Sequence, residues 1–398
     1  MNLLLVADGH YYRTSDGTVY VDSVYDYNFY KRYLNVFEHV YAAVRITAID
    51  SAPSGKKVSS GADITFLDLP PYTGPFQYAE KYFSILKRVK EICRMADCAI
   101  FRIPAATSNL FCKQYLKTKK PFAVELVIDP WENFAPGTTS NPLRPLIRYK
   151  WTKLVKDMCM KANGVSYVTE RYLQDKYPSK KRITGEGFEG SYSSVELPDT
   201  MYNQPKKYTP KKTWYISHTA NTFADYGKGH IPLIETVQKV RNKGYDVHVT
   251  FIGDGPKKEE FEKYAKQLQI SEAVHFLGKL PSSAEVKAVL RESDLFVFPT
   301  RAEGLPRGLL EAMSEGLPCL SSPVCGIPEV LPKEFLYEYN DTEGFAQGIV
   351  SLIENPELMS KLSEYNLDVA KKYSSSILTA KRNDFYSMLK HETEMQNL

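Results

Sequence analysis

The chain has 398 residues, 43% apolar and 25% charged, with a formal net charge of +4. That length exceeds one ordinary core and calls for two domains, and the composition is that of a soluble globular protein rather than a disordered or fibrous one. No apolar run approaches the ~18 residues needed to span a bilayer, and Met1–Ala7 lacks a basic leader, so it reads as a first strand and the expected location is the cytoplasm.

In the first half, apolar strand-like runs alternate with helix-period segments, the pattern of a parallel α/β domain. Strands are expected at 3–6, 40–45, 64–67, 99–102, 122–128 and 164–168. Helices are expected at 22–37, 76–95, 108–117, 143–161 and 170–176. Residues 185–210, rich in Gly, Ser, Pro and Tyr without periodicity, read as a linker. A second set follows, with strands at 214–217, 247–252, 273–277 and 295–298 and helices at 229–242, 256–267, 282–291, 342–354 and 356–373. A last helix is expected from Ser374. The division is 1–200, 201–373 and a C-terminal helix, 374–398, packing back on the first domain. Two similar doubly wound domains then face one cleft.

Six cysteines, none in a Cys-x-x-Cys pair, read as reduced buried thiols, and no zinc set is spelled out. Residues 101–182 carry 16 basic against 6 acidic side chains. Such a face attracts anionic lipid headgroups or a phosphate-bearing acceptor, or is simply solvated lysine. No nucleic-acid motif accompanies the charge.

The most telling stretch runs from Phe298 to Pro318. A buried-looking strand ends in a turn bearing Glu303, and Pro306 suits the first position of a helix. Glu311 then lies roughly 7–8 Å along that helix. Unpaired amides at the helix start, with Gly304 and Gly308 removing bulk, suit a diphosphate. One carboxylate near the linked group and one within reach of a sugar diol suit a sugar nucleotide. No Asp-x-Asp triplet and no Gly-x-Ser-x-Gly elbow are present, which leaves metal-presented diphosphate and serine hydrolysis unsupported.

Together with Tyr226-Gly-Lys-Gly229, Phe251-Ile-Gly-Asp-Gly-Pro256, Val274-His-Phe-Leu-Gly278, Asp294–Thr300, Glu303–Met313 and Gly326-Ile-Pro-Glu329, this stretch resembles retaining glycosyltransferases of family 4. The first half matches only loosely, through Tyr167-Val-Thr-Glu-Arg-Tyr-Leu173. The resemblance implies a GT-B fold of two Rossmann-like domains and transfer of a sugar from a UDP- or GDP-linked donor. Similar enzymes often act on lipid-linked oligosaccharides for capsule, exopolysaccharide or O-antigen, without a bound metal or other cofactor. It implies catalytic roles for Glu303 and Lys228, and donor binding by Glu311 and by Gly304, Leu305, Pro306, Arg307 and Gly308. Gly253 and Gly17 join the donor contacts, with an Asp-Gly turn as the competing account of Gly17.

The family's phosphate-binding Arg is replaced here by Ser217-His218-Thr219, so either His218 or Arg307 shares that charge or the donor phosphate is held less tightly. Asp129, where relatives often have His, is a candidate sugar or acceptor contact or a turn former before Pro130. A 2-epimerase on the same fold and a silent sugar-nucleotide-binding scaffold are the rival readings.

Overall fold

The computed structural model describes residues 1–136, 141–195, 197–200, 202–396 and 398. Among them the N-terminal lobe is built on a ten-stranded sheet. Its parallel centre runs Phe188–Ser191, Gly164–Tyr167, Phe122–Leu126, Cys98–Ile103, Asn2–Val6 and His39–Ala48, with Ile64–Leu69 also paired on the last. Most central residues are fully buried, as near-continuous apolar runs require when helices cover both faces. The C-terminal lobe holds five parallel strands in the order Val274–Gly278, Asp246–Asp254, Thr213–Thr222, Leu295–Phe298 and Cys319–Ser321. Both sheets have the crossover order of a doubly wound fold, in which ligands sit outside the carboxyl ends of the strands.

Three expectations change. The segment expected as linker contains Phe188–Ser191, an edge strand paired with Gly164–Tyr167. Its four residues, Phe-Glu-Gly-Ser, carry no hydrophobic period. The segment after the first strand forms a hairpin, His10–Arg13 against Val19–Val21, so the helix expected over 22–37 shrinks to Tyr27–Lys31 and a short 3-10 turn, Arg32–Asn35. Asp26 starts it by accepting from the Phe29 amide. The helix expected over 76–95 divides at Lys81 into Gly74–Glu80 and Tyr82–Ile92.

The last helix, Ser375–Gln396, lies on the N-terminal lobe. Tyr386 stacks on Tyr33 at 4.7 Å between ring centres, and Phe385 meets Phe188 edge-on. The chain therefore crosses between lobes twice. The two crossings run side by side, with Leu197 bridging to Ser374. All six cysteines are free and buried. No helix among the described residues is long and apolar enough to cross a membrane.

Candidate functional site

Glu303 stands just beyond the strand Leu295–Phe298, in the turn that leads into the helix Arg307–Ser314. Pro306 is the cap residue of that helix, one position before its start. Gly308 is pressed on the neighbouring strand, where a Cβ would overlap the Thr219 hydroxyl. That contact lets the helix start approach the carboxyl edge of the sheet. Glu303 is ion-paired with Lys228, which comes from the loop after Thr213–Thr222. The loop is pinned there by its own geometry. Gly229 has φ +77°, a Cβ on it would overlap the Pro299 carbonyl, and Gly227 accepts from the Arg301 amide at 2.9 Å.

One turn into the helix, Glu311 is 7% exposed and accepts from Arg307 Nε at 3.2 Å. Burial pushes its carboxyl above the ordinary range, opposed by Arg307 and Lys287. Glu315 lies one turn beyond, with Arg291 Nε at 3.1 Å and Lys287 at 3.8 Å. Lys228, Glu303, the amides from Gly304 to Gly308 and Glu311 are thus brought to one edge of the C-terminal sheet. Across the cleft Gly304 abuts the other lobe, since a Cβ there would lie 2.7 Å from the Val127 carbonyl. Leu305 is buried beside it.

His218 and Arg307 are placed differently from their sequence reading, whereas Gly17 and Asp129 take the turn roles that were their alternative readings. His218, read as a donor contact, is fully buried with its Nε2 2.6 Å from the Lys228 carbonyl. It packs among His230, Phe251 and Phe298, and burial holds its pKa down at about 4. It props the Lys228 loop from below as a neutral ring. Arg307 pairs with Glu311, and His218 is sealed beneath the Lys228 loop, so the structure pairs neither candidate for the absent phosphate arginine with an open donor edge. Gly17 is exposed at the Thr14–Thr18 hairpin turn with φ +88°, a conformation that favours glycine. Asp129 is fully buried: it accepts from the Trp131 amide, the Tyr172 and Tyr177 hydroxyls and Lys176. It ties the Pro130–Asn133 turn to the helix Tyr172–Lys176. Gly253, at φ +137°, allows the end of its strand to pass the Ala220 carbonyl.

Other contributors were not read from the sequence. Glu329 accepts from the amides of Glu170, Arg171 and Tyr172 at 2.6, 3.0 and 2.7 Å, so one lobe supplies an N-terminal cap to the other. Gly326 donates its amide to the Gly304 carbonyl at 2.9 Å. Arg301 lies over the Tyr339 ring at 4.0 Å, close to the Lys228 loop. At the N-terminal strand ends, Arg45 donates to Asp8 at 2.8 Å. Gly-Ile-Pro-Glu was the available signal for Glu329, but its target lies some 160 residues away in sequence. Among the described residues no group of three or more His, Cys, Asp or Glu is arranged to hold a metal ion.

Comparison with known proteins places the chain as a whole. Residues 203–368 match group 1 glycosyl transferases. The chain is also 26% identical to Protein CapJ of Staphylococcus aureus over 404 aligned residues, covering 97% of this chain and 98% of that protein. The fold matches sucrose-phosphate synthase from Thermosynechococcus elongatus at TM-score 0.67 and 15% identity, covering 98% and 99% of the two chains. Anabaena Alr3699/HepE, solved in complex with UDP and glucose, matches at TM-score 0.65 and 13% identity, over 97% and 99%. The fold is GT-B. These similarities support a glycosyltransferase.

Proposed function

We propose that the protein transfers a hexose from a UDP- or GDP-linked donor to a hydroxyl of a lipid-linked or polysaccharide acceptor in cell-surface polysaccharide synthesis, with retention at the anomeric carbon. The observation that carries this reading is the convergence of Lys228, Glu303 and Glu311 on the helix start at Gly304–Gly308. The match of residues 203–368 supports transfer, and the similarity to CapJ supports a surface polysaccharide.

In this reading the diphosphate lies on the amides of Gly304, Leu305, Arg307 and Gly308, where the helix start favours negative charge. Lys228 leaves Glu303 to neutralise the departing phosphate, a role that calls for no bound metal or other cofactor. Fixed donors of this kind are preorganised for the charge that develops as the bond breaks. Glu311, held by Arg307, accepts the two ribose hydroxyls. Glu303, freed from Lys228, accepts from the hydroxyls of the transferred sugar. Retention follows when the acceptor attacks the face from which the diphosphate departs and a phosphate oxygen takes the acceptor's proton. No separate base is then needed. Closure of the two lobes keeps water from the activated sugar.

A lipid-linked acceptor places the enzyme at an anionic membrane face. Leu146 and Tyr149 are both 64% exposed on the lysine-rich helix Arg144–Lys161, as expected of a peripheral contact. Flotation with vesicles tests this: recovery with anionic lipid alone supports it, and equal recovery with neutral lipid removes it. The transfer itself is tested by release of nucleoside diphosphate from a panel of nucleotide sugars. Acceptor-dependent release that falls in Lys228→Ala supports the reading. Sugar interconversion without a new glycoside would point to the epimerase.

A further inference from the structure

Behind the cleft, the N-terminal lobe buries two guanidinium groups against one carboxylate. Arg102 is 8% exposed and pairs with Glu125, and Arg32 Nη2 lies 4.0 Å from the same carboxylate oxygen. Glu125 also accepts from the hydroxyls of Tyr33, Tyr192 and Tyr386 at 3.1, 3.0 and 2.9 Å. Four donors use up the ordinary capacity of a carboxylate. Burial opposes its charge, but Arg102, Arg32 and the hydroxyls hold its pKa at about 2, so it is ionised. Two cations against this anion leave one positive charge in excess. The Nε atoms of both arginines are buried without a hydrogen-bond partner. A buried surplus of charge and donors is costly unless something satisfies it.

A cavity lies beside this cluster. A recess of about 10 Å³ is bordered by Arg32, Arg102, Ser166, Ser193 and Ser194, with room for one oxygen-sized group. It shares Val168, Tyr192 and Ser193 with a chamber of about 490 Å³ between the lobes, within the range of small-molecule sites. Tyr365, Tyr373 and Lys372 also line the chamber. The chamber's two carboxylates are already engaged: Glu170 by Lys381 and Ser191, and Glu329 by the three capped amides. Val127 and Val168, which border the recess, are also the residues that Gly304 abuts. The recess therefore adjoins the turn that carries Glu303.

We propose that chamber and recess form a binding site for an acidic saccharide. One oxygen of its carboxylate or phosphate sits between Arg32 and Arg102, and its ring lies in the chamber among Tyr192, Tyr365 and Tyr373. Binding depends only on the cluster and the cavity; naming this saccharide as the acceptor rests on the transferase reading.

The test is calorimetric titration of the whole protein with glucuronate, glucose 6-phosphate, glucose and inorganic phosphate. Saturable binding of either acidic sugar is expected, at least tenfold tighter than glucose, and weakened at least tenfold in Arg102→Gln. Equal affinity for glucose, binding of neither acid, or unchanged affinity in the variant would overturn the site. Inorganic phosphate binding as tightly as glucose 6-phosphate would overturn its assignment to a saccharide. Should Arg102→Gln not fold, Arg32→Gln and crystals of the wild type soaked in glucuronate decide the matter. Density between the two arginines is expected, and its absence at saturating ligand refutes the site. A nucleotide-sugar titration separates the two readings. Donor binding without acid binding ends this inference alone, whereas acid binding without donor binding ends the transferase reading and leaves the site.

Discussion

Glu303 and Glu311 are both glutamates of one turn-and-helix, yet their surroundings differ and so should their variants. Glu303 is 19% exposed in its side chain and shares its carboxylate with Lys228, whereas Glu311 is sealed against Arg307. Glu303→Gln should therefore lower turnover by about 10²–10³-fold, the usual loss for a group that acts in the transition state, while leaving nucleotide affinity near that of the wild type. Glu311→Gln should instead weaken the nucleotide by about tenfold or more, since a hydrogen bond to a charged group contributes about 1.5–3 kcal/mol. Separate titrations of nucleoside diphosphate and measurements of kcat distinguish the two. Matching losses in both quantities for both variants would contradict the assignment. A second prediction concerns His218 and His230, whose pKa values burial holds at about 4 and about 2, below the ordinary 6.5. The unfolded chain takes up protons below pH 6.5 while the folded chain refuses them. Their contribution to stability is thus complete above pH 6.5 and is lost as the pH falls toward 4. Each contributes a slope of up to about 1.4 kcal/mol per pH unit in that window. Urea unfolding at pH 7 and pH 5 should show the drop, and His230→Phe should flatten it; an unchanged slope in the variant would refute the cause.

Element by element, the helix Arg307–Ser314 depends on one close approach. Gly308→Ala sets a Cβ against the Thr219 hydroxyl and should destabilise by about 1–3 kcal/mol, as overpacking does. Thr219→Ala in the same chain should recover part of that loss. A double-mutant cycle with no coupling would show that the contact does not hold the helix. Elements of this kind also explain what the sequence disclosed. The strand Leu295–Phe298 is four apolar residues bounded by Asp294 and Pro299, and its turn carries Gly and Pro, so strand, turn and helix were legible together. The hairpin of His10–Arg13 and Val19–Val21 was not, because Tyr and Arg on a half-buried edge blur the two-residue period. Phe188–Ser191 was hidden by its shortness and its glycine. Asp129 sat at the carboxyl edge where sites gather, but its partners Tyr172, Lys176 and Tyr177 lie more than forty residues on. Nothing local announces such a junction. His218 was legible as a strand-end residue, but only packing reveals that its ring faces inward.

At the scale of the molecule, the lobes share one apolar cluster and are also tied by directional contacts. Glu329 caps three amides of the opposite lobe, and Gly326 bonds to Gly304 beneath the donor turn. Glu329→Ala should cost about 1 kcal/mol, as the loss of a helix cap does, and should speed hydrogen exchange at residues 170–172. Unaltered protection there would mean that the cap does not fasten the lobes. The central claim is that the edge formed by Lys228, Glu303 and Glu311 receives a nucleotide sugar. The most direct measurement is the melting temperature of the wild type and of Glu311→Gln against a plate of UDP- and GDP-linked sugars. A ligand that binds only the folded state adds about 2.7 kcal/mol at one hundred times its Kd. The account predicts that at least one nucleotide sugar raises the melting temperature of the wild type and that Glu311→Gln loses most of that rise. No rise with any nucleotide sugar, or an equal rise in the variant, would contradict it.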